Sequence, residues 1–242
     1  MSGSGLVGIE GEHLLVEALR SGIGIATVFF RTGEQSILDR IDLDAQTDLV
    51  ELPDEIFASA VTTESPQGIA ALVKPRLFSL DDALRGSSPL VVVAAELQDP
   101  GNVGTLIRSA EAFGASGVIT LPGTVSQWNA KAMRASSGSV FRLPVVAAAE
   151  EEVFSRLQSS EIATFAAVAE QGRAATECNL MKPLALLIGN EGRGLSAELQ
   201  QRANARITIP CPGPVESLNA AIAGSILLYE AARQRGRSSS AG

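Results

Sequence analysis

Three short stretches of this 242-residue chain hold the side chains best suited to chemistry. The first is Gln98-Asp99-Pro100-Gly101-Asn102-Val103-Gly104, with Arg108 six residues after Asn102. Pro100 and Gly101 predict a turn, and Asn102 is expected to cap the helix that follows. Arg108 comes less than two helical turns later, so amide and guanidinium are expected to face one site. The second is Gly189-Asn190-Glu191-Gly192-Arg193-Gly194-Leu195. Its glycines let backbone amides approach a ligand closely, and Glu191 places a carboxylate among them. No Gly-Lys-Ser/Thr follows, so it is not a phosphate-cradling P-loop. The third runs from Ile209-Pro210 through Glu216-Ser217-Leu218-Asn219. Pro210, Pro212 and Pro214 stiffen it. Ser217 is placed to cap a long helix. Asn219, ahead of Ala220, Ala221, Ile222 and Ala223, reads as a buried amide in the first turn that needs hydrogen-bond partners. A fourth candidate fails: Gly3-Ser4-Gly5-Leu6-Val7-Gly8 matches a dinucleotide fingerprint, but only two residues precede it and no strand can lead into it.

Composition narrows the chemistry. Two cysteines and one histidine leave no Cys/His cluster, so no zinc or other metal site is expected. Cys178 and Cys211 fit a reducing cytoplasm and are expected to pack as small apolar groups. No run approaches the roughly 18 apolar residues of a membrane helix, and the first residues lack the basic-then-apolar order of a signal peptide. The net charge of −8 argues against broad, non-specific nucleic-acid binding, while leaving room for a local basic groove.

The elements that must position these loops alternate between strand and helix, which predicts an α/β fold. Residues 1–75 read as a small α/β unit, with a helix over 12–20, strands at 25–30, 49–52 and 69–73, and a helix opened by Pro53-Asp54. Residues 76–88 are polar and read as a linker, with a short helix possible over 80–84. From Leu90 to Ala95 the chain is continuously apolar, as in a strand buried on both faces. Strands at 117–121, 164–168, 184–188 and 206–209 follow, separated by helices, and a long helix begins at Ser217. The alternation predicts a mostly parallel sheet with helices on both faces, where ligands sit at the carboxyl ends of strands. The second domain spans 89–237, and the Ser/Gly-rich tail, 238–242, is expected to be disordered.

Taken in order, the three loops resemble the three motifs of the SpoU/TrmH family of RNA methyltransferases, within the SPOUT superfamily. The matching text runs from Gln98 through Arg108 to Gly114, from Leu187-Ile188-Gly189-Asn190-Glu191-Gly192 to Ser196, and from Ile209-Pro210 through Ser217-Leu218-Asn219 to Glu230. Lys131-Ala132-Met133-Arg134-Ala135-Ser136-Ser137-Gly138-Ser139 resembles a further family stretch, with Ser137 where a larger apolar residue is expected. Ile9-Glu10-Gly11-Glu12-His13-Leu14-Leu15 looks like the start of the family's small RNA substrate-binding domain. His13 there reads as a surface or packing residue.

The resemblance implies a trefoil knot in the C-terminal domain, a homodimer, and S-adenosylmethionine as cofactor. It implies methyl transfer to a ribose 2′-hydroxyl of ribosomal RNA, or of transfer RNA. It assigns cofactor contacts to Gly189, Ile209 and Leu218, with Leu187, Asn190 and Gly192 beside them. It makes Arg108 the catalytic candidate, with Asn102, Glu191, Ser217 and Asn219 positioning it and the ribose. Three rivals stand beside this reading. A non-catalytic knotted RNA-binding or assembly factor would need neither Arg108 nor Asn219. A nucleotide hydrolase would carry phosphate-loop or metal-carboxylate motifs. A base methyltransferase would share the cofactor loops.

Overall fold

The structure, a computed structural model, describes residues 5–61 and 67–239. The first unit is built from β1 (Val7–Glu10), α1 (Glu12–Arg20), β2 (Gly24–Arg31), β3 (Asp48–Leu52), α2 (Asp54–Ala60) and β4 (Ile69–Lys74). In α1, Leu14, Leu15 and Ala18 face the core, with Glu12 in the first turn and Arg20 in the last, where each suits the helix dipole. The strands order as β1-β4-β2-β3. β4 runs antiparallel to β1 and β2, and β3 runs parallel to β2. β1 is an addition to the sequence reading: Val7 and Ile9 are buried while Gly8 is exposed, a period-2 pattern only four residues long and broken by glycine.

The segment read as a linker is anchored. Its helix α3 (Leu80–Ala83) has a Ser79/Asp82 capping box and buries Leu80 and Ala83. Ala83 lies so near the next sheet that a Cβ on Gly117 would come within 2.6 Å of it.

The second unit contains β5 (Leu90–Ala94), α4 (Pro100–Ala112), β6 (Gly117–Thr120), α5 (Ala130–Ser136), β7 (Val145–Ala147), α6 (Glu150–Ser159), β8 (Ala163–Ala167), β9 (Arg173–Ala174), β10 (Leu184–Ile188), α7 (Ala197–Arg202), β11 (Ala205–Thr208) and α8 (Ala220–Ser239). The seven strands order as β7-β6-β5-β10-β8-β11-β9, and every pairing is parallel. The central strands are buried on both faces, and their side chains sort by parity. Val92, Leu186 and Ile188 pack with Leu106 of α4 and Leu227 of α8. Val91, Val93, Ala185 and Leu187 pack with Val153 of α6 and Leu199 of α7. The last helix runs to Ser239, into the stretch read as a disordered tail; residues 240–242, like the false fingerprint's Gly3 and Ser4, lie outside the described residues. No helix among the described residues is long and apolar enough to cross a membrane.

Two features fix the frame around the loops. Arg142 donates to Glu17 of α1 (2.6 Å) and twice to Glu111 of α4 (2.7 and 3.0 Å), tying the two units together. The Glu111 hydrogen bonds outweigh the opposing effect of burial and, with the one to Glu17, hold the Arg142 guanidinium above its ordinary pKa. Nearby, exposed His13 pairs with Ser137 at 2.8 Å. Ser137 ends α5 with φ 50°, where a bulkier residue would be strained.

The second feature is the close approach of α5 to α4. A Cβ on Gly104 would sit 2.2 Å from the Ala132 carbonyl oxygen and 2.6 Å from the Ala135 Cβ. Gly104→Ala is therefore expected to force the helices apart and cost about 1–3 kcal/mol, the range for overpacking. A urea unfolding curve checks this, because the midpoint should fall with the slope unchanged.

Candidate active site

The three loops meet at the carboxyl ends of β5, β10 and β11, and a chain of hydrogen bonds closes them on each other. Glu191 accepts from Asn102 Nδ2 (3.0 Å) and from the backbone N–H of Asp99 (3.1 Å) and Gln98 (3.3 Å). Asn102 Oδ1 accepts from Asn219 Nδ2 (3.0 Å). Asn219 Oδ1 in turn accepts from the N–H of Ala221 and Ile222, capping α8. One carboxylate and two amides thus bind the first, second and third loops into a unit.

Burial alone would raise the Glu191 pKa. The hydrogen bonds from Asn102 and from backbone N–H groups outweigh it and hold the carboxyl below the ordinary range. Because the folded-state value is depressed, Glu191 stabilises the fold fully above the unfolded carboxylate pKa. That contribution is lost as pH falls through the lower, folded value. Wild type is accordingly expected to lose melting temperature on acidification below about pH 4, near the ordinary glutamate value. Glu191→Gln should lose less over the same window. Thermal melts across pH 2–7 check the difference.

The second loop is held by its own residues. Asn190 Nδ2 donates to the Glu96 carbonyl (2.8 Å), and Asn190 Oδ1 accepts from the N–H of Gly192 and Arg193. Asn190 and Gly194 form a two-bond bridge that folds the loop back, with Gly194 at φ 67°. The loop borders a cavity of about 540 Å³ whose walls include Gly189, Asn190, Glu191, Gly192, Ile209, Ser217 and Leu218. Apolar Val168, Leu195 and Ile209 share it with polar Glu170, Glu191 and Gln200. That mixed lining suits a ligand that carries both apolar and charged groups. Among the described residues, no group of three or more His, Cys, Asp or Glu could hold a metal ion.

Several sequence assignments need correction. Asp99, not Asn102, caps α4, accepting from Gly101 N–H at 2.8 Å. Pro100 occupies the first helical position, where its missing N–H costs nothing, and so the helix cap falls three residues earlier than read. Asn102 is buried within the first turn. Six residues rotate a helix by about 600°, so Arg108 leaves that face. It is exposed, makes no hydrogen bond or ion pair with the described residues, and does not border the cavity. Ser217 is exposed in the loop, and Asn219, itself exposed, takes the capping role. Leu187 is fully buried on the opposite face of β10, away from the cavity, because strand parity sends its side chain behind the sheet. Cys178 is buried, but Cys211 is exposed and lines the cavity.

Sequence reasoning missed Glu96, Lys131 and Gln200. Glu96 has φ 56° and pairs with Arg193 at 3.1 Å. Lys131 pairs with Asp99 at 2.8 Å. Gln200 ties α7 to the Leu195 carbonyl at 2.9 Å. Only Lys131 left a signal, lying within a motif the sequence reading had marked without assigning it a role.

Residues 89–229 match the family described as the SpoU rRNA Methylase family, and residues 2–71 match the MRM3-like substrate binding domain. The chain is 34% identical over 221 residues to the 23S rRNA (guanosine(2553)-2′-O)-methyltransferase RlmP of Bacillus subtilis, covering 91% of this chain and 86% of that protein. The SpoU methyltransferase AviRb from Streptomyces viridochromogenes, solved with the cofactor AdoMet, is similar at a TM-score of 0.85 and 28% identity, over 96% of this chain and 91% of that one. The AdoMet-bound rRNA methyltransferase from Sinorhizobium meliloti is similar at a TM-score of 0.80 and 31% identity, over 95% and 88%.

Proposed function

This chain belongs to the SpoU rRNA Methylase family, and from that premise we propose that it transfers a methyl group from S-adenosylmethionine to a ribose 2′-hydroxyl of ribosomal RNA. The observation that carries the reading is the Glu191–Asn102–Asn219 chain, which locks the three loops beside one cavity. The relative acting on 23S rRNA at a 2′-O position supports the substrate class. Transfer RNA is the alternative substrate. A cytoplasmic site of action follows from the substrate.

The bound cofactor supplies a sulfonium methyl that needs no activation. The chain's residues must do the rest: align a poorly nucleophilic hydroxyl and ease the loss of its proton to a phosphate oxygen of the RNA or to solvent. Backbone groups at Gly189, Ile209 and Leu218 hold the adenine and methionine ends, with Asn190 and Gly192 shaping the loop and Leu187 bracing it from the core. Asn102, Glu191 and Asn219 keep the loops in register, and Ser217 stands at the cavity wall for the ribose. Arg108 offers a planar guanidinium fork matched to phosphate oxygens. With no carboxylate partner among the described residues, it is available to a target phosphate, orienting the nucleotide and easing loss of the hydroxyl proton.

Homodimerisation belongs to the same proposal. Ile222, Ile226 and Tyr229 lie at i, i+4 and i+7 along α8 and are 51%, 38% and 55% exposed, an apolar stripe on one helix face. α8 packs on α4, where Phe113 meets Tyr229 edge to face at 5.8 Å and Ser109 bonds Ser225 at 2.7 Å. A second copy covering this stripe would bring Arg108 of α4 to the interface. Ile226→Arg is expected to give a folded monomer with at least ~10-fold less activity, since a charge in an interface core is strongly disfavoured. Sedimentation and circular dichroism check it. The knot is part of the same reading, supported by the loops after β10 and β11 sharing one cavity before α8 returns to pack on β10 and α4.

The test is incubation of the protein with methyl-labelled S-adenosylmethionine and unmodified ribosomal RNA. Label on the RNA is the expected result. Tight cofactor binding without label on ribosomal or transfer RNA would favour the non-catalytic reading.

A further inference from the structure

A second cavity lies at the seam between the two units, about 260 Å³ in volume, and the reaction as proposed does not use it. Its walls come from β1, β2, β4 and α2 on one side and from Ala130, Met133 and Arg134 of α5 on the other. The lining is largely apolar, with half-buried Phe29 and buried Phe57 among it. Glu10 and Arg134 are its charged members. Arg134 is exposed, and its guanidinium makes no hydrogen bond or ion pair with the described residues. The volume falls just below the ~300–1,000 Å³ of drug-sized sites, so it suits a single planar ring system.

α5 connects this cavity to the catalytic loops. Ala130, Met133 and Arg134 share one helix face by their i, i+3, i+4 spacing. Lys131, on the adjoining face, donates to Asp99 (2.8 Å), whose backbone N–H donates to Glu191. One short helix therefore lines the seam cavity and holds the network of the active site. The chain is acidic overall and many of its cations are paired with carboxylates, as Arg20, Arg142 and Arg202 are. A cation unpaired among the described residues, beside an apolar pocket, matches the two halves of a nucleotide, a flat base and a charged phosphate.

We propose, resting on the RNA methyltransferase reading above, that the seam cavity receives an unpaired base of the substrate RNA adjacent to the methylated nucleotide, with Arg134 on its phosphate. Bases stack on aromatic side chains such as Phe29 without demanding one sequence. The substrate-binding unit then contributes a wall of the recognition site as well as general affinity. Arg134 is a binding residue and takes no part in the chemical step.

The test uses the full chain and unmodified ribosomal RNA in steady-state methyl transfer. Arg134→Ala is expected to raise KM for RNA about tenfold, with kcat and cofactor Kd within twofold, and Arg134→Lys to restore most of the loss. The slope of log KM against log salt should fall by about one unit, as for one lost phosphate contact. For the base, RNAs carrying single abasic sites around the modified position are compared. One position should lose affinity with wild type. That penalty should vanish in Ala60→Trp, where a bulky side chain fills the mouth of the cavity from an exposed position. Methyl transfer with unchanged KM in Arg134→Ala, or an abasic penalty that survives Ala60→Trp, would overturn the proposal. Absence of methyl transfer in wild type would instead count against the reading it rests on.

Discussion

Arg108→Ala is expected to lower methyl transfer by about 10²–10³-fold while S-adenosylmethionine binds within twofold of wild type, the cost of removing one preorganised donor from a charged transition state. The geometry separates the two readouts. Arg108 is exposed on α4 and does not border the 540 Å³ cavity, so its loss leaves the cavity walls intact. It forms no ion pair with the described residues, so truncation strands no carboxylate, and the fold should lose little. Arg108→Lys keeps the charge but loses the planar fork that grips phosphate through two bonds, and should recover only part of the rate. Single-turnover transfer beside calorimetric titration of the cofactor checks both. Lost transfer with lost cofactor binding would instead place Arg108 among the scaffold residues.

The second large effect concerns Gly189. A Cβ there would lie 2.3 Å from the Gly194 carbonyl carbon and the Leu195 nitrogen, and 2.6 Å from the Gly194 oxygen. All three are backbone, so no side chain can swing away. Gly189→Ala must open the Asn190–Gly194 bridge, and with it the turn that presents Glu191 to Asn102. Cofactor affinity is expected to fall at least ~100-fold, about 2.7 kcal/mol by the logarithmic relation. Stability should fall by about 1–3 kcal/mol, as for other overpacked sites. Gly192→Ala is the control: its Cβ would meet only Asn190 Oδ1 at 3.7 Å, ordinary contact. It should bind within a few-fold of wild type. Titration calorimetry and thermal melts on the two variants distinguish close packing from a general need for glycine.

These contrasts show what the sequence could carry. The parallel sheet was legible because Leu90–Ala94 and Leu184–Ile188 are uniformly apolar, as strands covered on both faces must be. The three loops were legible because glycine, proline and amide residues cluster where the chain turns beside the cavity or caps a helix. Cap assignment was not. Asp99 and Asn102 both accept hydrogen bonds, as do Ser217 and Asn219, and packing chose between them. The same loop text held Gly189, which cannot tolerate a Cβ, and Gly192, which can. That difference arises from a contact across the bridge, not from composition. Strands β1 and β9 are too short for their periodicity to stand out. The seam cavity was hidden altogether, since its walls come from segments as far apart in the chain as Gly8 and Arg134.

The most direct test of the central claim is where the methyl group goes. Ribosomal RNA labelled by the wild-type protein is digested to nucleosides and resolved by mass spectrometry. A label confined to one 2′-O-methyl nucleoside, absent with Arg108→Ala, is the expected result. A label on a nucleobase, or an equal label with the variant, would contradict the account.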